Sequence, residues 1–205
     1  MKMSFSVFPT KGNLIHIKKS LMLANLGFDL MDRKRNVLVR EMMALIDSAK
    51  SIRGEIESTF ARAYKALQTA NITLGVCDSI AKGIEVETGL EIKYKSVMGV
   101  EIPKVRLKSS FDARAYGFSG TNSQLDIAYM CFYRAKKISV VLAEVENSVY
   151  RLANEIKKTQ RRANALKNVN IPKFEKTIKY ISDALEEKER EEFGRLKVIK
   201  KTKQK

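Results

Sequence analysis

The chain has no tryptophan, one histidine, two cysteines and only three prolines and ten glycines in 205 residues. With His16 as the sole histidine, a Ser-His-Asp or Cys-His catalytic system has one place where it could stand. That place is flanked by Leu14, Ile15, Ile17 and Lys18, which read as faces of a helix. Cys77 and Cys131 form no CxxC pair and have no histidine near them, which argues against a metal site and fits a reducing compartment. No apolar run reaches the roughly 18 residues that span a bilayer, and no apolar leader opens the chain. A cytoplasmic protein, peripheral to the cell membrane at most and with no direct membrane insertion, is the expectation. Few helix breakers imply long regular elements.

What is abundant is positive charge: 39 Lys and Arg against 23 Asp and Glu give a formal +16. Such an excess speaks to partners, not to fold. Arg33-Lys34-Arg35, Arg161-Arg162 and the tail lysines Lys197, Lys200, Lys201, Lys203 and Lys205 could meet phosphates. They carry no interleaved aromatic residues for base stacking, so nucleic acid is not expected as a partner. Gly117-Phe-Ser-Gly120 lacks the Gly-Lys-Ser/Thr ending of a phosphate loop. The carboxylates of 186–192 interleave with Lys188 and Arg190, as on a solvated helix face. No cofactor, metal or catalytic residue is expected.

The apolar residues carry the architecture. Phe8-Pro9-Thr10 opens a helix, with Thr10 or Asn13 as N-cap. From Leu14 a heptad frame follows, with a positions Leu14, Leu21, Phe28, Arg35, Met42, Ala49, Ile56, Ala63 and Ala70. Its d positions are Ile17, Ala24, Met31, Leu38, Leu45, Ile52, Thr59, Ala66 and Thr73, so only Arg35, Thr59 and Thr73 are not apolar. Arg35 breaks the seam and is a candidate to fix register or to touch a partner.

Lys82-Gly83 reads as the end of this helix. Leu90 to Val97 and Val100 to Ile102 alternate apolar and polar around Met98-Gly99, the pattern of a β-hairpin. This hairpin, over about Leu90 to Val105, is expected to project. Pro103 confines its strand to an edge. Phe111 to Gly120 reads as loop. Thr121-Asn-Ser-Gln124 matches a capping box. A second 3–4 run then continues through Ala128, Cys131, Ala135, Ile138, Leu142, Val145, Val149, Leu152, Ile156, Thr159, Ala163 and Leu166. Pro172 predicts a kink, after which Phe174, Ile178, Ile181 and Leu185 resume the period and Phe193, Leu196 and Ile199 finish it before the basic tail.

The predicted fold is mainly α. Two long helices, near 10–83 and 121–199, form an antiparallel coiled-coil hairpin with a β-hairpin and loop over 84–120 at the turn, and a basic tail over 200–205. The whole is one elongated domain, each helix spanning about 100 Å at about 1.5 Å per residue. Neither helix could bury its seam alone.

Several segments carry a family resemblance. Pro9-Thr-Lys-Gly-Asn-Leu14, Lys18-Lys-Ser-Leu21 and Gly27-Phe-Asp-Leu-Met-Asp-Arg-Lys-Arg35 resemble the opening helix of the D subunit of V-type and archaeal-type ATP synthases. Val97-Met-Gly-Val-Glu-Ile-Pro103 is similar to that family's central segment. Arg161-Arg-Ala-Asn-Ala-Leu166 with Ile171-Pro172, then Glu189-Arg-Glu-Glu-Phe193 and Arg195-Leu-Lys197, are similar to its C-terminal helix. The blocks stand in family order over nearly the whole chain. Gly194 departs from it, where a bulkier residue is usual, and leads one to expect loosened final turns.

The resemblance implies a non-catalytic central rotor that couples ATP chemistry in a hexamer of A and B subunits to ion transport through a membrane ring. It implies as partners those catalytic A and B subunits, a small F subunit, and a funnel-shaped subunit of the C/d type above the ring. Candidate interface residues are Arg35, Val97, Met98, Gly99, Val100, Arg161, Arg162, Lys197, Lys200 and Lys201. The basic tail would face the hexamer bore. Two other readings remain open at this point: a basic coiled-coil scaffold, and a nucleic-acid-binding helical hairpin.

Overall fold

The computed structural model describes residues 7–108, 116–117 and 119–203. The first six residues, most of the loop expected from Phe111, and the last two tail residues lie outside it. The elements are α1 (Lys11–Leu74), α2 (Asp78–Lys82), β1 (Leu90–Val97), β2 (Val100–Leu107), α3 (Ser123–Ala165) and α4 (Ile171–Lys203). They divide into two compact units, one of residues 1–36 with 157–205 and one of residues 37–156.

In the first unit the start of α1 runs antiparallel to the end of α3 and to α4. Lys11 pairs with Glu189 at 3.0 Å, and the Arg35 guanidinium donates to the Gln160 carbonyl oxygen at 2.8 Å. The seam buries Ile17 and Ala24 with Thr159, Ala163, Thr177 and Ile181. Thr10 caps α1, its hydroxyl oxygen accepting the Asn13 amide at 3.2 Å.

Between α3 and α4 stands a π-helical turn, Leu166–Asn170, closed by the Ile171 amide donating to the Leu166 carbonyl. This is the form taken by the interruption expected at Pro172. A proline ring collides with the carbonyl four residues back in an α-helix, and a wider turn relieves that collision. Gly194 interrupts nothing: α4 continues through it to Lys203, into the stretch expected as a separate tail.

In the second unit the rest of α1 lies antiparallel to α3. Arg53 meets Glu146 at 2.7 Å, Tyr64 meets Phe132 edge to face at 5.5 Å, and the Asn122 amide donates to the Thr73 hydroxyl at 2.7 Å. Leu38 and Leu152 are fully buried. α1 ends earlier than Gly83, because Gly75 adopts φ +79 and its amide caps the Asn71 carbonyl at 2.9 Å. Gly83 itself has φ −79 and closes only the short α2. Asn122, not Thr121, caps α3, its side-chain oxygen accepting the Leu125 amide at 3.1 Å.

The hairpin pairs Leu90 with Leu107 through to Val97 with Val100, leaving the two-residue turn Met98-Gly99 at φ 51 and 77. Positive φ at both positions matches the twist of the flanking strands. β2 continues past Pro103, which faces Tyr94 in a sheet that has only edge strands.

The hairpin does not project as expected: it folds back along α3. Val100 at its tip packs against Leu38 and Leu152. Glu144 accepts the Val105 amide at 2.8 Å and Arg151 donates to the Glu101 carbonyl at 3.1 Å. The strong twist of a two-stranded ribbon lets Val100 and Ile102 face the helices at the tip, while Pro103 and Val105 face α3 further along.

Met98 occupies a left-handed conformation that Asn tolerates better. Met98→Asn should stabilise the hairpin by about 0.5–1 kcal/mol, seen as slower amide exchange across β1 and β2. Tyr116 donates to Asp126 at 2.5 Å, and burial first, then this bond, raises its phenol above its ordinary value of 10.0. A raised folded pKa means stability that is complete below pH 10 and declines as pH rises above it. Tyr116→Phe should cost about 1 kcal/mol at pH 8 and make the alkaline decline shallower, measured by urea unfolding at pH 8 and 11.

Candidate partner-binding surfaces

The expected interface residues occupy four different settings. Arg35 is engaged within the first unit. It forms an ion pair with Asp32 at 2.6 Å and bonds to Gln160 and Asn36, with 29% of its side chain exposed. Its bond to Gln160 crosses the seam. Through Gln160 it stands at the level of Arg161 and Arg162, which are exposed neighbours on α3. Arg33 and Arg35 on one helix and Arg161 and Arg162 on the other make a basic band there.

Val97, Met98, Gly99 and Val100 are brought together by the hairpin turn, but not on one side. Met98 and Gly99 are exposed and Val97 is half-buried. Val100 is only 8% exposed and belongs to the core with Leu38 and Leu152. Its side chain is unavailable to a partner, because the hairpin folds inward at its tip. Lys197, Lys200 and Lys201 are exposed on the last turns of α4, with the Lys197 ammonium over the Phe193 ring at 4.8 Å.

A surface missing from that set is apolar. Ile15, Met22, Leu23, Leu26 and Leu30 each expose more than half of their area, Met22 the most at 73%. A helix turns about 100° per residue, so Ile15, Met22, Leu26 and Leu30 share one outward stripe of α1. All lie outside the a and d positions, where a self-sufficient coiled coil would carry polar groups. Apolar residues off the seam frame were thus the available sequence signal. Phe193, Leu196 and Ile199 form a second exposed row, beside the tail lysines on α4.

The second unit has its own open surface where α1 ends and α3 begins. Leu67, Asn71, Cys77, Tyr129 and Phe132 line a groove. The side-chain oxygen of Asn71 is buried there without a hydrogen-bond donor. Ile72 and Val76 beside it are 84% exposed. Lys136 pairs with Glu87 at 2.9 Å across the groove wall.

Among the described residues no group of three His, Cys, Asp or Glu could hold a metal ion, and no helix is long and apolar enough to cross a membrane. Among the described residues the strongly shifted group is Tyr116, held in its protonated form.

Residues 13–201 match the family model for the ATP synthase D subunit. The chain is 47% identical over 197 residues to the V-type ATP synthase D subunit of Thermotoga neapolitana, covering 95% of this chain and 97% of that one. It is 37% identical over 198 residues to the A-type ATP synthase D subunit of Methanosphaera stadtmanae, covering 94% and 92%. A likeness of 38% over 197 residues extends to the A-type ATP synthase D subunit of Pyrococcus horikoshii, again covering 94% and 92%. With the match running through both helical arms and the hairpin between them, the chain belongs to the ATP synthase D-subunit family.

Proposed function

We propose that this chain is the central rotor shaft of a V/A-type rotary ATPase. It holds no nucleotide and performs no chemistry. It turns, and so couples ATP hydrolysis or synthesis in a hexamer of A and B subunits to ion passage through a membrane ring. Family membership over residues 13–201 carries the assignment. It leaves the scaffold and nucleic-acid readings without support.

The surfaces fit the part. The outward stripe of α1 and the basic, apolar end of α4 belong to the same unit, and both lack a cover among its described residues. They suit the bore of the hexamer, which would supply apolar walls and acidic groups. The groove beside Ile72 and Val76, where α1 gives way to α3, suits the funnel-shaped C/d-type subunit. A small F subunit would take part of the second unit, near the exposed Leu90, Ile92 and Tyr94 of β1. The complex would hold the chain at the cytoplasmic face of the membrane.

Tagged chain purified from gently solubilised membranes should bring the A, B and F subunits with it. Met22→Asp combined with Leu26→Asp should abolish that recovery of A and B while lowering the melting temperature little. Exposed substitutions away from packing usually stay within about 0.5 kcal/mol. Recovery of the chain alone, or with nucleic acid, would overturn the rotor reading. Deleting residues 198–205 removes four lysines and no acid. It should change the ATPase rate or the coupling ratio by about twofold, since exposed charge pairs contribute only about 0–1 kcal/mol each. Identical rate and coupling would show that the tail does not touch the stator.

A further inference from the structure

We propose that the outer edge of β1 is a strand-addition site. It takes an extended segment of alternating apolar and acidic residues from a partner that turns with the chain. That the donor co-rotates rests on the rotor reading; the open edge does not.

The ladder fixes which backbone groups point outward. The Lys108 amide donates to the Gly89 carbonyl at 2.9 Å, so these two stand opposite as a hydrogen-bonded pair. Such pairs recur at every second residue of an antiparallel ladder. Glu91, Lys93, Lys95 and Val97 therefore turn their amides and carbonyls toward β2, whereas Ile92, Tyr94 and Ser96 turn theirs away. On β2 the outward residues are Glu101, Pro103 and Val105. Their contacts agree: Glu144 accepts the Val105 amide, Arg151 donates to the Glu101 carbonyl, and Pro103 has no amide to lose. The outer edge of β2 is thus closed by α3 and by proline. β1 has no such closure. Among the described residues nothing bonds to the outward backbone groups of Ile92, Tyr94 or Ser96. An open row of donors and acceptors is what a further strand pairs with.

The two faces of the ribbon set the chemistry of that strand. On one face Leu90, Ile92 and Tyr94 are 46–57% exposed and line a groove of about 470 Å³ with Val140 and Ala143 of α3. A strand added to β1 places every second side chain beside this groove, where apolar groups fit. On the other face stand Lys93 and Lys95, with Lys104 directly opposite Lys93. All three are exposed, and among the described residues none has a carboxylate partner, since Glu91 of the same row is engaged by Lys108. Like charges directly opposite each other destabilise a hairpin. Acids on an adjoining strand would relieve that repulsion. The same lysines repel a second copy of this edge, so the occupant is an acidic chain and not another copy of this one. A strand ladder also locks register. A strand held by the stationary hexamer would stop rotation, so the donor turns with the shaft.

Residue-resolved hydrogen exchange on the full chain tests the edge, with a peptide of about seven residues alternating valine and glutamate as the probe. Saturating peptide should slow the amides of Ile92, Tyr94 and Ser96 about tenfold. The amides of Lys93 and Lys95, already bonded to β2, should slow by less than about threefold. Ile92→Pro removes one outward donor and no inward one, as Pro103 does on β2, and should abolish that pattern. Should this variant lose the hairpin, Lys93→Glu with Lys95→Glu leaves the backbone intact. It should weaken the glutamate peptide about fivefold and gain binding to a valine–lysine peptide, a rescue that misfolding cannot give.

In the complex from gently solubilised membranes, the same alternating protection should be present without added peptide. Carbodiimide should join Lys93 or Lys95 to a carboxylate of a subunit other than A or B. Equal slowing of both sets of amides, or none, with the peptide would overturn the edge. Protection with the peptide but not in the complex, or cross-links to A or B alone, would overturn the co-rotating strand. A chain that leaves the membrane without A and B subunits would overturn the rotor reading and leave the peptide result to decide the edge.

Discussion

Neither helical arm of this chain could persist without the other, and the seam between them is the condition for everything else. Helices gain most of their stability in proteins from burying an apolar face, not from intrinsic propensity. Here that face is narrow. The buried residues are mainly small: Ala24, Ala63, Ala70, Ala128, Ala135 and Ala163, with Thr59, Ser148, Thr159 and Thr177 beside them. Small residues allow close approach of backbones at the expense of buried area. The hydroxyls do not go unsatisfied, since Thr59, Ser148 and Thr177 each donate to the carbonyl four residues back at 2.7–2.8 Å. The larger side chains concentrate around Leu38 and Leu152, and there the hairpin adds Val100 as a third layer. The second unit therefore anchors its β-structure where the seam is bulkiest.

The exterior follows a different rule. Its ion pairs are mostly exposed, as in Lys11–Glu189 and Arg53–Glu146, and such pairs contribute little and are screened by salt. Arg35 is the exception, because it is partly buried, doubly bonded and placed on the seam. Removing one partner of such a network leaves a charge without its fork of acceptors, so its value lies in specifying which residues face each other. A rotor gains from this division. Specific, buried contacts hold its own helices in register, while weak, hydrated ones meet its surroundings.

Much of the seam was legible because a heptad repeat reports on burial directly. Ile17, Ala24, Leu38, Thr59, Ala63 and Ala70 are all buried and all fall on the a/d frame. The hairpin strands were legible from alternation and the Met98-Gly99 turn. The position of the hairpin was not, since alternation gives the faces of a ribbon but not the helix that covers them. Gly83 follows a lysine and makes the more conspicuous stop signal, yet the seam ends at Thr73 and an αL cap is due immediately after it, at Gly75. The π-turn was half-visible: Pro172 signalled an interruption but not its kind. Of the expected interface residues, sequence could identify charge but not direction, so buried Val100 and exposed Lys200 looked alike as candidates. The apolar stripe from Ile15 to Leu30 was in plain view, but only as residues that did not fit the frame.

Those off-frame residues explain how one helix pair can be both firm and free to turn. Seam positions and outward positions of a helix are separated by angle, so stability and surface contact can be set independently on the same stretch of chain. Met22 and Leu26 leave more than half of their area uncovered by the described residues of their own unit, and contiguous exposed apolar surface of this kind marks interaction sites. An apolar contact has no direction, so it survives sliding better than a hydrogen bond, which is lost as soon as the donor moves past its acceptor. A charged row beside it, as along the end of α4, biases position without fixing it.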